Sequence, residues 1–332
     1  MKISIKKIII PSIPLAIFLL GCCVALWAFS YFMINFNQTL ELAKPNFVPI
    51  DNFFAGNSLL SNLLSVIVTL LNAFLLEQLS TKFSLIRTRT FLPILIYVLL
   101  MTVWSLAGVT LSNHIALTFL IVSLFIFMNM YRDKQAVEQA FAGSLITGIG
   151  SFFSFELILL IPAFWIGFVM FQSMSLRTFL ASIFGAITPW ILYFSVRLYL
   201  QPDAIWFDEI LSHLDTTFVF KSPSILFIIY FASLLIIFLI GLTGFFNNLQ
   251  SDSIQTRQSM KIFVVLFFIS LIIAFVFSAY STVLLPLIAL SYAIIISHPL
   301  SLQKNNFNSI LLIIFCLINI FYVLMVYYFS IQ

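Results

Sequence analysis

Long apolar runs, separated by short charged turns, recur from one end of the chain to the other, and no other feature limits its fold so tightly. A run of about 20 apolar residues matches the roughly 30 Å hydrocarbon core of a bilayer. Soluble domains carry roughly a quarter charged residues, whereas here charged residues make up 8% and hydrophobic ones 62%. A water-soluble fold cannot bury that much apolar surface. The expected fold is therefore all-α, a polytopic transmembrane helix bundle of about eleven spans forming one integral membrane domain over 1–332. The runs cover 8–34, 58–79, 91–111, 114–130, 141–155, 156–171, 179–200, 224–246, 262–278, 282–297 and 310–328. The fifth and sixth are short enough to be tilted hairpins that stop inside the membrane, with Gly143, Gly148 and Gly150 weakening the helix while permitting close packing.

The basic residues set the orientation. With a cytoplasmic N-terminus, Lys2, Lys6, Lys7, Lys82, Arg87, Arg89, Arg132, Lys134, Arg177, Arg257, Lys261 and Lys304 lie inside, and only Lys44, Arg197 and Lys221 outside. That asymmetry fits the positive-inside rule. The acids divide the other way: Glu77, Asp133, Glu138 and Asp252 inside, with Glu41, Asp51, Glu156, Asp203, Asp208, Glu209 and Asp215 outside. The start mimics a lipoprotein signal, with three lysines before a run ending LLGC. The apolar stretch continues past Cys22 as VALWAFSYFMI, so a single uncleaved span is expected. Cys22, Cys23 and Cys316 all sit in apolar runs and indicate neither a disulfide framework nor a thiolate metal site. Forty Phe, with abundant Ile, Asn and Ser, suggest an AT-rich bacterial genome, and the expected location is the bacterial cytoplasmic (inner) membrane.

Two exterior connections have length, 35–57 and 201–223. In the second, Trp206, Ile210, Leu214 and Phe218 fall near helical spacing opposite Asp208, Ser212 and Asp215, which predicts an amphipathic helix on the outer membrane surface over 203–218.

Candidate chemistry follows from charge in apolar surroundings. A carboxylate beside lipid needs a partner, a proton or water, which singles out Glu156 between SFFSF and LILLIP; the alternative is an interfacial acid beside a turn. Asp51, in the first exterior loop, is a candidate general base or cation ligand, or else a solvated loop acid. Asp208 and Glu209 are candidate helpers. Glu209 and His213, four apart, would share a helical face, so a divalent cation is the one cofactor left open, although no established metal spacing is present. Arg197, near the end of the seventh run, is the candidate for holding a phosphate, with His213 beside it as a substrate-binding residue. Glu77 reads as an interfacial cap or an ion-pair partner of Lys82, and His114 and His298 as interfacial histidines. The clusters KFSLIRTR and YRDK fix topology or grip anionic lipid headgroups. No phosphate-cradling glycine loop, HExxH or nucleophile elbow occurs, so ATP-driven catalysis and a nucleic-acid partner are not expected.

The stretches FLPILIYVLLM (91–101), YRDKQAVEQAFAGSLITGIGSFF (131–153) and LRTFLASIFGAITPW (176–190) resemble a functionally uncharacterised family of polytopic inner-membrane proteins from Bacteroidota. The layout, with longer exterior loops after spans one and seven, is also similar to that of membrane glycosyltransferases using polyprenyl-phosphate sugar donors. That resemblance implies a base or metal ligand in the first exterior loop, here Asp51 or Glu41, and a polyprenyl-phosphate-linked substrate drawn from membrane lipid. The first loop is short for such an enzyme, lacks a paired-acid motif, and no separate acceptor domain follows the last span. Three functions stand open on these residues: a glycosyltransferase-like enzyme at the periplasmic face, a non-catalytic scaffold or assembly subunit, and a transporter or flippase.

Overall fold

The computed structural model describes residues 21, 24, 25, 27, 28, 47, 48, 50–54, 58–88, 90–105, 109–200, 224–248, 252–276, 281–301 and 306–331. Most of the first apolar run, Glu41, and the whole loop at 201–223 with Asp208, Glu209 and His213 lie outside the described residues.

Among the described residues the fold is all-α. A short α1 (Ile50–Phe53) precedes α2 (Ser58–Lys82), α3 (Leu92–Trp104), α4 (Leu111–Met128) and α5 (Val137–Gly150). A 3-10 segment (Phe155–Leu160) runs directly into α6 (Ile161–Met170), followed by α7 (Leu176–Leu200), α8 (Ile225–Asn248), α9 (Ile254–Val276), α10 (Ser281–Ser301) and α11 (Asn306–Ile331). Seven of these helices are long and apolar enough to cross a membrane: α2, α4, α7, α8, α9, α10 and α11. The other described apolar runs form shorter helices. Pro93 and Pro162 stand in the first turns of α3 and α6, where a missing N–H costs nothing, whereas Pro189 and Pro286 lie inside continuous helices.

Lipid is as apolar as a protein core, so small and polar residues rather than hydrophobic ones mark a helix's inward faces. The most enclosed helix is α10, every residue of which is buried from Leu284 to Ser301. It packs against α3, α4, α8, α9 and α11, and carries Ser291, Tyr292, Ser297 and His298 into the interior. A second polar seam joins α2 to α4. There Thr69 Oγ1 lies 3.0 Å from His114 Nδ1, Asn72 Nδ2 donates to the His114 carbonyl at 2.9 Å, and Thr118 Oγ1 donates to Asn72 Oδ1 at 2.7 Å. His114 is thus fully buried between two helices rather than interfacial as its sequence position suggests. One turn into α4, it already faces α2, because α2 begins farther from that level and reaches it only at Thr69.

Of the glycines expected to permit close packing, Gly148 does so where α5 lies parallel to α7, joined there by Gly185, while Gly143 and Gly150 lie against Phe127 and Phe119 of α4. A Cβ on Gly185 would collide with the Phe141 carbonyl oxygen, and one on Gly148 would come within 2.6 Å of the Ala186 oxygen. With 14 residues, α5 is only about 21 Å long, and α7 continues ten residues past Trp190, about 15 Å. Trp190 Nε1 donates to Ser151 Oγ at 2.8 Å, so the turn that follows α5 stops well short of the end of α7.

The chain therefore has two distinct ends. Lys82 lies over the Phe125 ring near the end of α4, the Arg132 N–H donates to the Phe171 carbonyl, and Arg87 meets Asp252. These contacts gather the C-terminal ends of α2, α4 and α6 with the start of α9 at one basic end. Asp51, Glu156 and Arg197 belong to the other.

Candidate functional site

At the basic end the C-terminus of α2 closes without a glycine. The Leu85 N–H donates to the Ser80 carbonyl at 2.9 Å while Ser84 takes the left-handed conformation, φ 49°, the arrangement that satisfies carbonyls left over at a helix end. This turns the chain back on itself, so that Arg87, Thr88 and Thr90 pass beside the last two turns of α2.

The other half of the molecule meets them there. Ser253 accepts a hydrogen bond from the Thr256 N–H and caps α9, and Thr256 Oγ1 donates to the Ser84 carbonyl at 3.1 Å. The residue before that cap is Asp252. Its carboxylate is almost entirely enclosed, 1% exposed, and its Oδ1 accepts from Arg87 Nε at 2.8 Å. Its Oδ2 lies 3.0 Å from Nε2 of His298, close but off hydrogen-bond alignment. His298 is fully enclosed and its ring meets the Phe245 ring edge to face at 5.5 Å. The sequence reading of His298 as an interfacial residue before Pro299 is corrected here: α10 continues through Pro299 to Ser301 and keeps the imidazole inside.

Arg87 is 39% exposed and lines a cavity of about 170 Å³ together with Glu77, Thr81, Ser84, Thr88 and Thr90. A water molecule occupies about 30 Å³, so this space holds several waters or a small polar group. Among the described residues only Nε of Arg87 has a protein partner, which leaves the two terminal amino groups to the cavity. The Thr90 hydroxyl is buried and has no partner. Glu77 makes no ion pair with Lys82, whose ammonium instead sits over the rings of Phe83 and Phe125 at 5.2 and 5.7 Å. A guanidinium held from behind, with hydroxyls around it, is suited to gripping a phosphate.

At the opposite end, Asp51 Oδ1 accepts from the Ser112 N–H at 3.2 Å. The residue that caps α4, Thr110, makes no side-chain cap of its own, so Asp51 supplies from another segment the acceptor that the helix N-terminus lacks. Glu156 is buried in the first turn of the 3-10 segment and accepts from the Ser154 hydroxyl at 2.9 Å. An Arg197 terminal nitrogen donates to the Tyr193 hydroxyl at 3.3 Å. The same end carries an aromatic cluster. Phe47 packs edge-on to Trp190 at 4.7 Å, Phe155 and Tyr193 lie 6.2 and 6.1 Å from Phe47, and the Val48 N–H donates to the Phe152 carbonyl. The short turn below the end of α7 is thus capped by the described part of the first loop. Among the described residues no group of three or more His, Cys, Asp or Glu is placed to hold a metal.

Fold and composition together define an all-α protein with several helices built to cross a membrane. The chain belongs to DUF6427, a family of unknown function, which it matches over residues 33–330. No curated protein and no solved structure matches it.

The sequence places Arg87 and Asp252 on the cytoplasmic side of the membrane. The single available signal was the KFSLIRTR cluster, read as fixing topology or gripping anionic headgroups, because no periodicity links residues 165 positions apart.

Proposed function

We propose that this is a multi-pass protein of the bacterial cytoplasmic membrane, its basic end in the cytoplasm, which binds the phosphate of a phospholipid headgroup in the Arg87 cavity. One observation carries the reading: a guanidinium pinned through Nε by a buried carboxylate, its other nitrogens left to a hydroxyl-lined cavity. A lipid source is favoured over free phosphate by the approach. Leu63, Ile67, Leu71 and Phe74 form an exposed apolar stripe on α2, and Glu77 and Thr81 continue it at helical spacing into the cavity wall. An acyl chain lying along that stripe brings its headgroup to Arg87. The orientation rests on the positive-inside asymmetry.

The test is native mass spectrometry of the purified chain with phosphatidylethanolamine, phosphatidylglycerol and diacylglycerol. The protein is expected to retain at least one of the phospholipids over diacylglycerol. Arg87→Lys keeps the charge but loses the planar fork, and is expected to reduce retention about tenfold, the effect of one hydrogen bond to a charged group. Thr90→Val, which leaves the Arg87–Asp252 pair untouched, should reduce it less. Equal retention of all three lipids by the unaltered chain removes the reading.

A second reading concerns the acidic end, and is supported by the position of Asp51, Glu156 and Arg197 at that end of the bundle, which also carries the aromatic cluster around Trp190. In it the chain acts as a glycosyltransferase-like enzyme on a polyprenyl-phosphate-linked sugar, with Asp51 as general base and Arg197 on the donor phosphate. Asp51→Asn preserves an acceptor for the Ser112 N–H while removing the base. Sugar transfer is then expected to disappear with the yield of folded protein unchanged, and undiminished transfer eliminates this role.

A further inference from the structure

We infer that the headgroup taken by the Arg87 cavity is an amine-bearing one, a phosphoethanolamine, with its phosphate on Arg87 and its ammonium on Glu77. The inference rests on the phospholipid reading above and narrows it to one lipid class. The described residues lining the cavity include two charged ones of opposite sign, Arg87 and Glu77. The positive charge is already balanced, because Asp252 closes on Arg87 at 2.8 Å from behind. The charge left over is therefore the carboxylate of Glu77, for which no partner is found among the described residues. Lys82, the nearest cation in sequence, has turned to the rings of Phe83 and Phe125.

A headgroup carrying only negative charge would enter a space whose uncompensated charge is also negative. A zwitterion carries its own cation to Glu77 and its own anion to Arg87, adding no net charge to a partly enclosed site. The remaining groups fit this division. The buried, unpartnered Thr90 hydroxyl can donate to a phosphate oxygen, while the Thr81 hydroxyl is already engaged with the Glu77 and Gln78 carbonyls and does not compete for the carboxylate. A primary ammonium supplies three N–H donors to a carboxylate. A trimethylated amine supplies none, so phosphatidylcholine lacks the bond that defines the site.

The experiment compares retention of phosphatidylethanolamine, phosphatidylglycerol and phosphatidylcholine, matched in acyl chains, by the full chain in native mass spectrometry. Phosphatidylethanolamine is expected to be retained about tenfold over either of the others, the effect of one charge-assisted hydrogen bond. Glu77→Gln, which keeps size and shape, is expected to bring phosphatidylethanolamine and phosphatidylglycerol within about twofold of each other, the remainder of a bond to a charged group once that charge is gone. Equal retention of phosphatidylethanolamine and phosphatidylglycerol by the unaltered chain overturns the inference and leaves the phosphate reading standing. So does a preference that survives Glu77→Gln. Failure to retain any phospholipid over diacylglycerol overturns both. The headgroup comparison on the unaltered chain decides the matter even if the variant does not fold.

Discussion

Replacing Asp252 by alanine is expected to destabilise the folded bundle by about 3 kcal/mol, the low end of what removing one member of a buried charge pair costs. The low end applies because Arg87 is 39% exposed and can swing into water, whereas His298 is fully enclosed and cannot. The loss is more than electrostatic. Asp252 joins the loop after α2 to the start of α9 and the interior of α10, so its removal loosens three segments at once. Asp252→Asn retains an acceptor and should cost less. In a cycle with Arg87→Ala the double variant is expected to cost less than the two single variants added together, because both report on one interaction. Unfolding of the detergent-purified protein in a denaturant series, followed by tryptophan fluorescence, measures each value. A cost below about 1 kcal/mol for Asp252→Ala, the usual worth of an exposed pair, would show that the triad contributes no more than surface charges do.

The second large effect is expected at Gly185. Valine there is expected to cost about 3 kcal/mol, the upper end for overpacking a close-packed site. The added atoms would meet the backbone of α5, at the Phe141 oxygen and the Leu145 nitrogen, and backbone cannot turn aside. Gly143 provides the control. Its nearest neighbour is the Phe127 ring, a side chain rather than backbone, so Gly143→Ala should cost less than Gly185→Ala. Separating α5 from α7 should also break the Trp190–Ser151 hydrogen bond and unseat Phe47, so a red-shifted tryptophan emission is expected with the loss of stability. An unchanged thermal midpoint in Gly185→Val would mean that the two helices do not pack this closely.

Much of this architecture was legible as spans and sides. Charge is so costly in hydrocarbon that apolar runs and the residues interrupting them locate helices directly. The described apolar runs accordingly contain helices, seven of them long and apolar enough to cross a membrane, and Arg87, Arg132 and Asp252 share an end as the reading requires. It also anticipated that Gly148 would allow close approach, because a missing side chain is a local property. Which residues meet was not legible. Glu77 reads from sequence as an interfacial cap or a partner of Lys82, and the lysine lies over two aromatic rings instead. Asp51 was read for its exposed loop, and its carboxylate caps a helix that begins 60 residues later.

His114 and His298 expose the cause. Both sit near the ends of apolar runs, where a polar residue ordinarily reaches water, yet each is buried against a helix from elsewhere in the chain. In water, apolar periodicity marks the inner face of a helix because the outer face must be polar. In lipid both faces are apolar, so the pattern specifies that a segment crosses and is silent on which neighbour it turns toward. The sequence alone thus determined the described helices, their apolar character and the end at which Arg87, Arg132 and Asp252, or Asp51, Glu156 and Arg197, lie. The packing of α2, α9 and α10 decided that Arg87, Asp252 and His298 form one cluster, because only the rotation and register of neighbouring helices select the partner of each polar group.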